Sequence, residues 1–149
     1  MKKIFAFALS SLLIACDQDA LLQTVPPTEL SSADVFKTPE RINGLVNGIY
    51  KALKSSSLYG GRYLLYNDVR GEDFINVTGN TFTGYESWNN SYSSGSNDII
   101  NLWSAGYSAI NQANVLLAGL EKSEGVLSAV QKEQYAAEAK FLRALAYYS

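Results

Sequence analysis

Apolar residues recur at helical spacing in the last third of the chain. Steps of three and four residues link Ile99, Trp103, Gly106, Ile110, Ala113 and Leu117. After a polar break at residues 123–125, a second stripe contains Tyr135, Ala139, Leu142, Leu145 and Ala146. Because a helix turns about 100° per residue, each set lies on one helix face. The pattern predicts two amphipathic helices between Asn97 and Ser149 that bury their stripes against each other.

Polar residues mark where these two helices begin and end. Asn97 or Asp98 can cap the start of the first helix, and Gly125 supplies a stop after it. Ser128 and Gln131 have the spacing of a capping box at the start of the second helix. The turn between the helices is short, so we expect an antiparallel helical hairpin.

An earlier helix is predicted to begin after Thr38, which can cap it, because Pro39 takes the first position, where no N–H is needed. Its apolar stripe is formed by Ile42, Leu45, Val46, Ile49, Tyr50 and Leu53. Gly44 and Gly48 each cost this helix about 1 kcal/mol relative to Ala. They share a face, so we expect another helix to approach closely there.

Two short segments flank this helix. Residues 30–36 predict a short helical turn capped by Ser31 or Ser32. Residues 62–66 are apolar and aromatic enough for a strand or a buried turn.

Each long stripe of the hairpin contains one polar residue. Asn114 is predicted to project beside Trp103, and Glu138 lies in the middle of the second stripe. A buried polar group without a partner costs several kcal/mol, so both residues should be hydrogen-bonded. We expect Asn114 to bond the backbone of a loop and Glu138 to meet Arg70 or Arg143. Trp103, Asn114, Glu138 and Arg143 are therefore interpreted as structural, with Glu138 a polar clamp rather than a catalytic acid.

Residues 1–15 have the pattern of a lipoprotein signal peptide. Lys2 and Lys3 precede an apolar run of about a dozen residues, which suits a signal sequence but not a membrane span of about 20 residues. The run ends at Ala15-Cys16, which resembles a bacterial lipobox. We predict cleavage before Cys16 and its modification with diacylglycerol and further acyl chains such as palmitate, since one chain alone anchors weakly. The alternative is an ordinary buried cysteine. No other cofactor is expected.

Composition adds two restrictions. The chain has 12 Lys and Arg against 14 Asp and Glu, and cleavage before Cys16 would leave ten basic against fourteen acidic residues. With that acidic balance and no basic run, nucleic acid is not an expected partner. Cys16 is the only cysteine, so no internal disulfide can form.

Residues 76–97 form a segment rich in aromatic side chains, Asn, Ser, Thr and Gly, with no Lys or Arg. No period fits it, so we predict a long ordered loop, and loops of this length are commonly functional. An aromatic face can stack on the apolar face of a sugar ring while amides bond its hydroxyls. The candidate ligand-binding residues are Asp73, Tyr85, Trp88, Asn89 and Tyr92. The alternative is that these rings only fasten the loop to the helices.

Three acidic residues surround one arginine in the segment Asp68-Val-Arg70-Gly-Glu72-Asp73. Such a cluster could be a metal or acid/base site, or it could form local ion pairs, which we favour. A glycosidase needs two carboxylates about 5 Å or 6.5–9.5 Å apart across a cleft, and adjacency in a loop does not provide that geometry.

Two motifs in the hairpin resemble the first helical repeat pair of the SusD/RagB family. They are Trp103-x3-Tyr107-x2-Ile110-x3-Asn114 and the run from Ala137 to Tyr148, Ala-Glu-Ala-Lys-Phe-Leu-Arg-Ala-x-Ala-Tyr-Tyr. Phe36-Lys-Thr-Pro-Glu and the residues from Leu45 to Tyr50 also resemble the start of such proteins. The resemblance extends from Cys16 to the last residue.

The resemblance implies a mostly α, TPR-like fold with a long irregular aromatic loop, of which this chain is a truncated part. Residues 1–15 would be the signal peptide, 16–37 a tether and short helical turn, and 38–149 the incomplete N-terminal portion of the helical domain. Since about three repeats are needed for a stable array, we expect further repeats to complete it.

The resemblance also implies a function. Family members are outer-membrane lipoproteins that bind nutrients, mostly glycans, beside a SusC-like TonB-dependent transporter, without breaking a bond. We therefore expect a lipid-anchored protein of the outer membrane that faces the exterior and captures an oligosaccharide. Two alternatives remain: a TPR-type protein-interaction scaffold, and a lipid-anchored glycosidase using Glu72 or Asp73.

Overall fold

The computed structural model describes residues 32–71, 73–77 and 84–149, and these contain helices but no strand. The described helices are α1 (Ser32–Val35), α2 (Pro39–Leu53), α3 (Arg62–Arg70), α4 (Tyr85–Trp88), α5 (Asn97–Lys122) and α6 (Ala129–Tyr148). Backbone contacts divide the chain into two units, Met1–Asp34 and Val35–Ser149. The predicted mostly α fold is confirmed. The expected signal peptide, Cys16, residues 16–31 of the tether and Ser31 lie outside the described residues.

Helix α2 begins as its sequence predicts. Thr38 is the N-cap, and its hydroxyl accepts a hydrogen bond of 3.4 Å from the Arg41 N–H, with Pro39 at the first helical position. The predicted stripe is buried at Ile42, Val46, Ile49 and Leu53. Each such side chain contributes roughly 1.5–3 kcal/mol when fully removed from water, so this face holds α2 in the core.

Helices α5 and α6 form the predicted antiparallel hairpin. Ser128 caps α6 in a complete capping box: its hydroxyl accepts from the Gln131 N–H at 3.3 Å, and its own N–H donates to Gln131 Oε1 at 3.1 Å. Gly125 in the connection has φ of 74°, a left-handed conformation that glycine adopts without strain. Ala139, Leu142 and Ala146 are buried on α6, as the second stripe predicts.

The buried face of α5 differs from the predicted stripe at its N-terminal end. Gly106, Ile110 and Ala113 are buried as expected, but Ile99 is 44% and Trp103 66% exposed. Helix α5 packs on both α2 and α6, which turns its most buried line toward Ala109, Leu116 and Leu120. A single-stripe reading assumes one neighbour, whereas this helix has two.

Two local predictions are wrong. Residues 62–66 are neither strand nor buried turn but the start of the nine-residue helix α3, which buries Tyr66 and Val69 at a three-residue step. Neither Asn97 nor Asp98 caps α5: the N-cap is Ser96, and its side chain makes no capping bond.

The two glycines of α2 have different surroundings. A Cβ at Gly48 would lie 3.2 Å from Gln112 Oε1 on α5, so close helix approach is confirmed there. A Cβ at Gly44 would meet nothing within 4 Å, so the expected close approach at that residue is wrong. A tighter contact lies elsewhere: the Phe36 ring packs directly on Gly119 of α5, where a Cβ would come within 1.8 Å of Phe36 Cζ.

Candidate functional site

A buried carboxylate joins three elements beside the aromatic segment. Asp98, in the first turn of α5, accepts a 2.6 Å hydrogen bond from the Tyr66 hydroxyl of α3 at Oδ1. At Oδ2 it accepts a 2.8 Å bond from the Ser87 hydroxyl of α4. Asp98 and Ser87 are only 2% and 1% exposed. Both carboxylate oxygens therefore have a donor, which is what a buried charged group needs.

Tyr66 is the most strongly perturbed titratable residue at this point. Burial, followed by the hydrogen bond and the negative charge of Asp98, raises the pKa of the Tyr66 phenol well above its ordinary value of 10.0. The phenol therefore remains a protonated donor to Asp98 at neutral pH. Tyr66 also contacts Gly84, whose φ of 78° lets the backbone turn tightly against the ring at the start of α4.

We refer to residues 84–96 as the aromatic loop. Its backbone is internally bonded: the Trp88 N–H donates to Gly84 O at 2.9 Å, and the Ser91 N–H donates to Glu86 O at 3.1 Å. Farther on, the Ser93 N–H donates to Ser96 Oγ at 2.8 Å. The predicted ordered loop thus contains one helical turn and a serine-bonded turn, and it leads directly into α5.

The aromatic loop contains one contact between two rings, and a third ring contacts an arginine of α3. The half-buried rings of Tyr85 and Trp88 have centroids 5.8 Å apart in a tilted arrangement. The guanidinium carbon of Arg70, at the end of α3, lies 5.8 Å from the centroid of the Tyr92 ring. That distance is within the range of a cation–π interaction. Tyr92 is 39% exposed, so its ring also remains accessible to solvent.

A cavity of about 370 Å³ opens between α3, the aromatic loop and the N-terminal half of α5. Its lining combines three aromatic rings, one amide, one guanidinium, one carboxylate, two serines and two aliphatic side chains. The lining residues are Tyr63, Tyr66, Asn67, Arg70, Ser87, Tyr92, Asp98, Ile99, Leu102 and Ser149. Its volume falls within the range of about 300–1,000 Å³ that is typical of small-molecule sites. Its combination of apolar walls with a few polar groups is also typical of such sites.

The structure brings one of the five predicted ligand-binding residues to this cavity. Tyr92 lines it, whereas Tyr85 and Trp88 pair with each other outside its lining. Asn89 and Asp73 are exposed and do not line it either. Glu72, the other acid proposed for a glycosidase, and Phe82 of the aromatic segment lie outside the described residues.

The sequence interpretation overlooked most of the cavity lining. Tyr63, Tyr66, Asn67 and Arg70 occupy positions i, i+3, i+4 and i+7 of α3, which is the spacing of one helix face. That signal is present in the sequence, but the prediction of a strand or a buried turn at residues 62–66 concealed it. Ser87 and Asp98 carry no such signal, because their pairing depends on how the aromatic loop folds.

The residues interpreted as structural have partners other than those expected. Asn114 does not bond loop backbone but accepts a 2.7 Å hydrogen bond from Arg143 Nη1. Glu138 meets neither Arg70 nor Arg143: it accepts from the Tyr50 hydroxyl at 3.2 Å and from Gln134 Nε2 at 3.0 Å. Tyr50 belongs to α2, so Glu138 does join two helices, as a polar clamp should.

A second, more apolar cavity of about 280 Å³ adjoins the first along Ile99 and Leu102. Trp103, Tyr107 and Tyr147 are among its lining residues, and all three rings are exposed. The centroids of the first two rings are 4.7 Å apart, and Tyr147 meets Tyr107 edge-on at 6.4 Å. Trp103 is thus part of an exposed aromatic cluster rather than of the buried stripe.

The described residues contain no group of three or more His, Cys, Asp or Glu side chains that could hold a metal ion. Within the same ranges, no helix combines the length and hydropathy needed to cross a membrane.

Comparisons with known proteins identify relatives of the chain. The model of a SusD-like family, described as "Starch-binding associating with outer membrane", matches residues 21–149. The chain is also similar to a SusD superfamily protein from Bacteroides fragilis whose crystal structure is known at 2.05 Å resolution. The two sequences are 37% identical, and the two structures superpose with a TM-score of 0.71. The match covers 77% of this chain but only 27% of that protein's chain. No curated protein matches the chain.

Proposed function

This chain belongs to the SusD-like family, and from that membership we propose that the protein captures an oligosaccharide and delivers it to a transporter in the outer membrane. The family is one of starch-binding proteins associated with that membrane. A non-enzymatic binding role accords with this description. The partner would be a SusC-like TonB-dependent barrel, which receives the bound glycan.

The cavity between α3, the aromatic loop and α5 is the observation that carries this proposal. Tyr92 offers an accessible ring face, on which the apolar side of a sugar can stack. Asn67 and Arg70 on α3 line the same cavity and supply an amide and a cation for hydrogen bonds to sugar hydroxyls. Stacking and hydrogen bonding together are sufficient for capture, so no bond need be broken.

Attachment to the membrane is a separate part of the proposal. We propose that Cys16 carries diacylglycerol and acyl chains, which hold the protein on the outer membrane with its binding site facing the exterior. Mass spectrometry of the purified mature protein should find an acylated N-terminal cysteine. A Cys16→Ala variant should lose both the acyl mass and membrane association, and surface proteolysis of intact cells tests the outward orientation.

Affinity electrophoresis of the full-length protein in gels containing starch or other polysaccharides tests capture. We expect at least one polysaccharide to retard the wild type. Tyr92→Ala should weaken that retardation about threefold to tenfold, on the order of one lost aromatic contact. Tyr148→Ala is the matched control, because Tyr148 is an exposed ring (87%) outside both cavities. If no polysaccharide retards the wild type, glycan capture is wrong. Retardation of a Trp88→Ala variant tests separately whether the ring pair of Trp88 and Tyr85 contributes to polysaccharide binding.

One observation favours an interaction scaffold as the second candidate. The exposed cluster of Trp103, Tyr107 and Tyr147 presents apolar surface of the kind that protein interfaces use. In that case a protein partner would be retained on the immobilised protein and Trp103→Ala would release it, while no polysaccharide would retard migration. The glycosidase alternative predicts new reducing ends from a polysaccharide, and Glu72→Gln or Asp73→Asn should abolish them.

A further inference from the structure

The carboxylate of Asp98 lies where the two sides of the proposed glycan cavity meet. We infer that Asp98 is a positioning residue: by accepting hydrogen bonds from Tyr66 and Ser87, it fixes the aromatic loop against α3 and so sets Tyr92 beside Arg70. This inference rests on the proposed glycan-binding function, because it concerns the geometry of that site. Asp98 belongs to the cavity lining but is only 2% exposed, so it acts through its two donors rather than by contacting the ligand.

The two donors, Tyr66 and Ser87, lie close in sequence to the two residues whose relative position defines the proposed site. These two residues are Arg70 and Tyr92. Tyr66 and Arg70 are four residues apart on α3 and so share a helix face. Ser87 and Tyr92 are five residues apart in the aromatic loop, and the Ser91 to Glu86 backbone bond of 3.1 Å closes the chain between them. A shift of Tyr66 would therefore move Arg70, about one helical turn away. A shift of Ser87 would likewise move Tyr92.

The two hydrogen bonds to Asp98 are directional links between the loop and α3. Other contacts between the loop and α3 include the Tyr66 ring beside Gly84 and the 5.8 Å approach of Arg70 to Tyr92. Both are weaker and less directional than two charge-assisted hydrogen bonds of 2.6 and 2.8 Å. Loss of the carboxylate should free the loop locally while the helical core, which lies elsewhere, stays folded.

Three variants of the full-length protein separate this role from general stability. Ser87→Ala and Tyr66→Phe each remove one donor with little change in volume. Ser123→Ala is the matched control, because it deletes another buried serine hydroxyl, bonded at 3.0 Å to Leu120 O, far along α5 from the loop. Hydrogen exchange measured by mass spectrometry reports the loop amides of residues 85–92 separately from those of α2 and α6.

We expect Ser87→Ala to speed exchange of the loop amides by about tenfold or more, as loss of one charge-assisted bond implies. Exchange in α2 and α6 should be unchanged. Ser123→Ala should leave the loop amides at the wild-type rate. Equal acceleration throughout the chain, or none in the loop, would overturn the positioning role.

Binding measurements then connect the loop to the site. On a gel containing the polysaccharide that best retards the wild type, Ser87→Ala should weaken binding, and in an Asp98→Ala background the same change should have no further effect, because its acceptor is gone. Additive effects in the two backgrounds, or loop loosening with unchanged retardation, would contradict the inference. If no polysaccharide retards the wild type, the proposed function fails, and the exchange pattern alone decides whether Asp98 holds the loop.

Discussion

Arg143 on α6 donates a hydrogen bond of 2.7 Å to Oδ1 of Asn114 on α5. The bond crosses the helical hairpin and fixes one helix lengthwise against the other. Asn114 is exposed and Arg143 is half-buried, so solvent screens the bond, and we expect a contribution of about 0.5–1.5 kcal/mol. The two motifs that carry Asn114 and Arg143 are therefore joined by a structural contact across the hairpin.

This bond predicts a measurable coupling. Asn114→Ala and Arg143→Ala should each lower the free energy of unfolding by about 0.5–1.5 kcal/mol. The double variant should lose less than the sum of the two, because each single change already breaks the shared bond. Urea denaturation followed by circular dichroism measures all four proteins. Strict additivity would mean that the bond contributes nothing in solution.

A second prediction concerns the contact between Phe36 and Gly119. Gly119→Ala would place a methyl group inside the Phe36 ring position, 1.8 Å from Cζ, so the ring must move. Overpacking of this kind costs about 1–3 kcal/mol. Gly44→Ala is the control, since nothing lies within 4 Å and the helix should gain roughly 0.5–1 kcal/mol. Thermal melts of both variants should therefore shift in opposite directions.

The third prediction is a pH dependence at Tyr66. The pKa of Tyr66 is raised in the folded protein, so between its ordinary value of 10.0 and the higher folded value, the folded state holds a proton that the unfolded state has lost. Stability from this residue is complete below pH 10.0 and falls as the pH rises above it.

Denaturation measured at pH 9 to 11 tests how steeply the free energy of unfolding falls with pH. For one titrating group this slope is at most about 1.4 kcal/mol per pH unit. Tyr66→Phe should reduce the slope, whereas Tyr135→Phe, which leaves the bond to Asp98 intact, should retain it. An unchanged slope in Tyr66→Phe would assign the alkaline loss to other residues.

The fourth prediction concerns the clamp between α2 and α6. Partial burial raises the pKa of the Tyr50 phenol above 10.0, and the charge and hydrogen bond of Glu138 raise it further. Glu138→Gln removes the charge, so the pKa of Tyr50 should fall toward 10.0. NMR titration of tyrosine Cζ signals gives the midpoint directly. Lys132→Gln is a control that alters a charge on the same helix without contact to Tyr50.

The long helices could be predicted from sequence because local signals agree there. Thr38 with Pro39 and Ser128 with Gln131 supply explicit start signals, and the apolar period persists for several turns. The exposed position of Trp103 could not be predicted, because it depends on α5 packing against α2 as well as α6. The side of a long apolar helix that is buried is determined by its tertiary contacts and not by the sequence period alone.

The site was less predictable than the helices. Composition identified the aromatic segment, and Tyr92 does line the cavity, but composition cannot say which rings face a cavity and which pair with each other, as Tyr85 and Trp88 do. Asp98 resembled a helix cap in the sequence. In the folded protein its carboxylate is bonded by residues 32 and 11 positions away, a relation that no local pattern encodes.

The chain contains two tryptophans, one in the aromatic loop and one on the exposed cluster. Replacing Trp103, whose ring lies 66% exposed, with phenylalanine would leave Trp88 as the one indole among these 149 residues. Within this part of the protein, fluorescence emission would then report on the aromatic loop and no longer on the exposed cluster, so a change on adding a sugar would be a change in the surroundings of the loop.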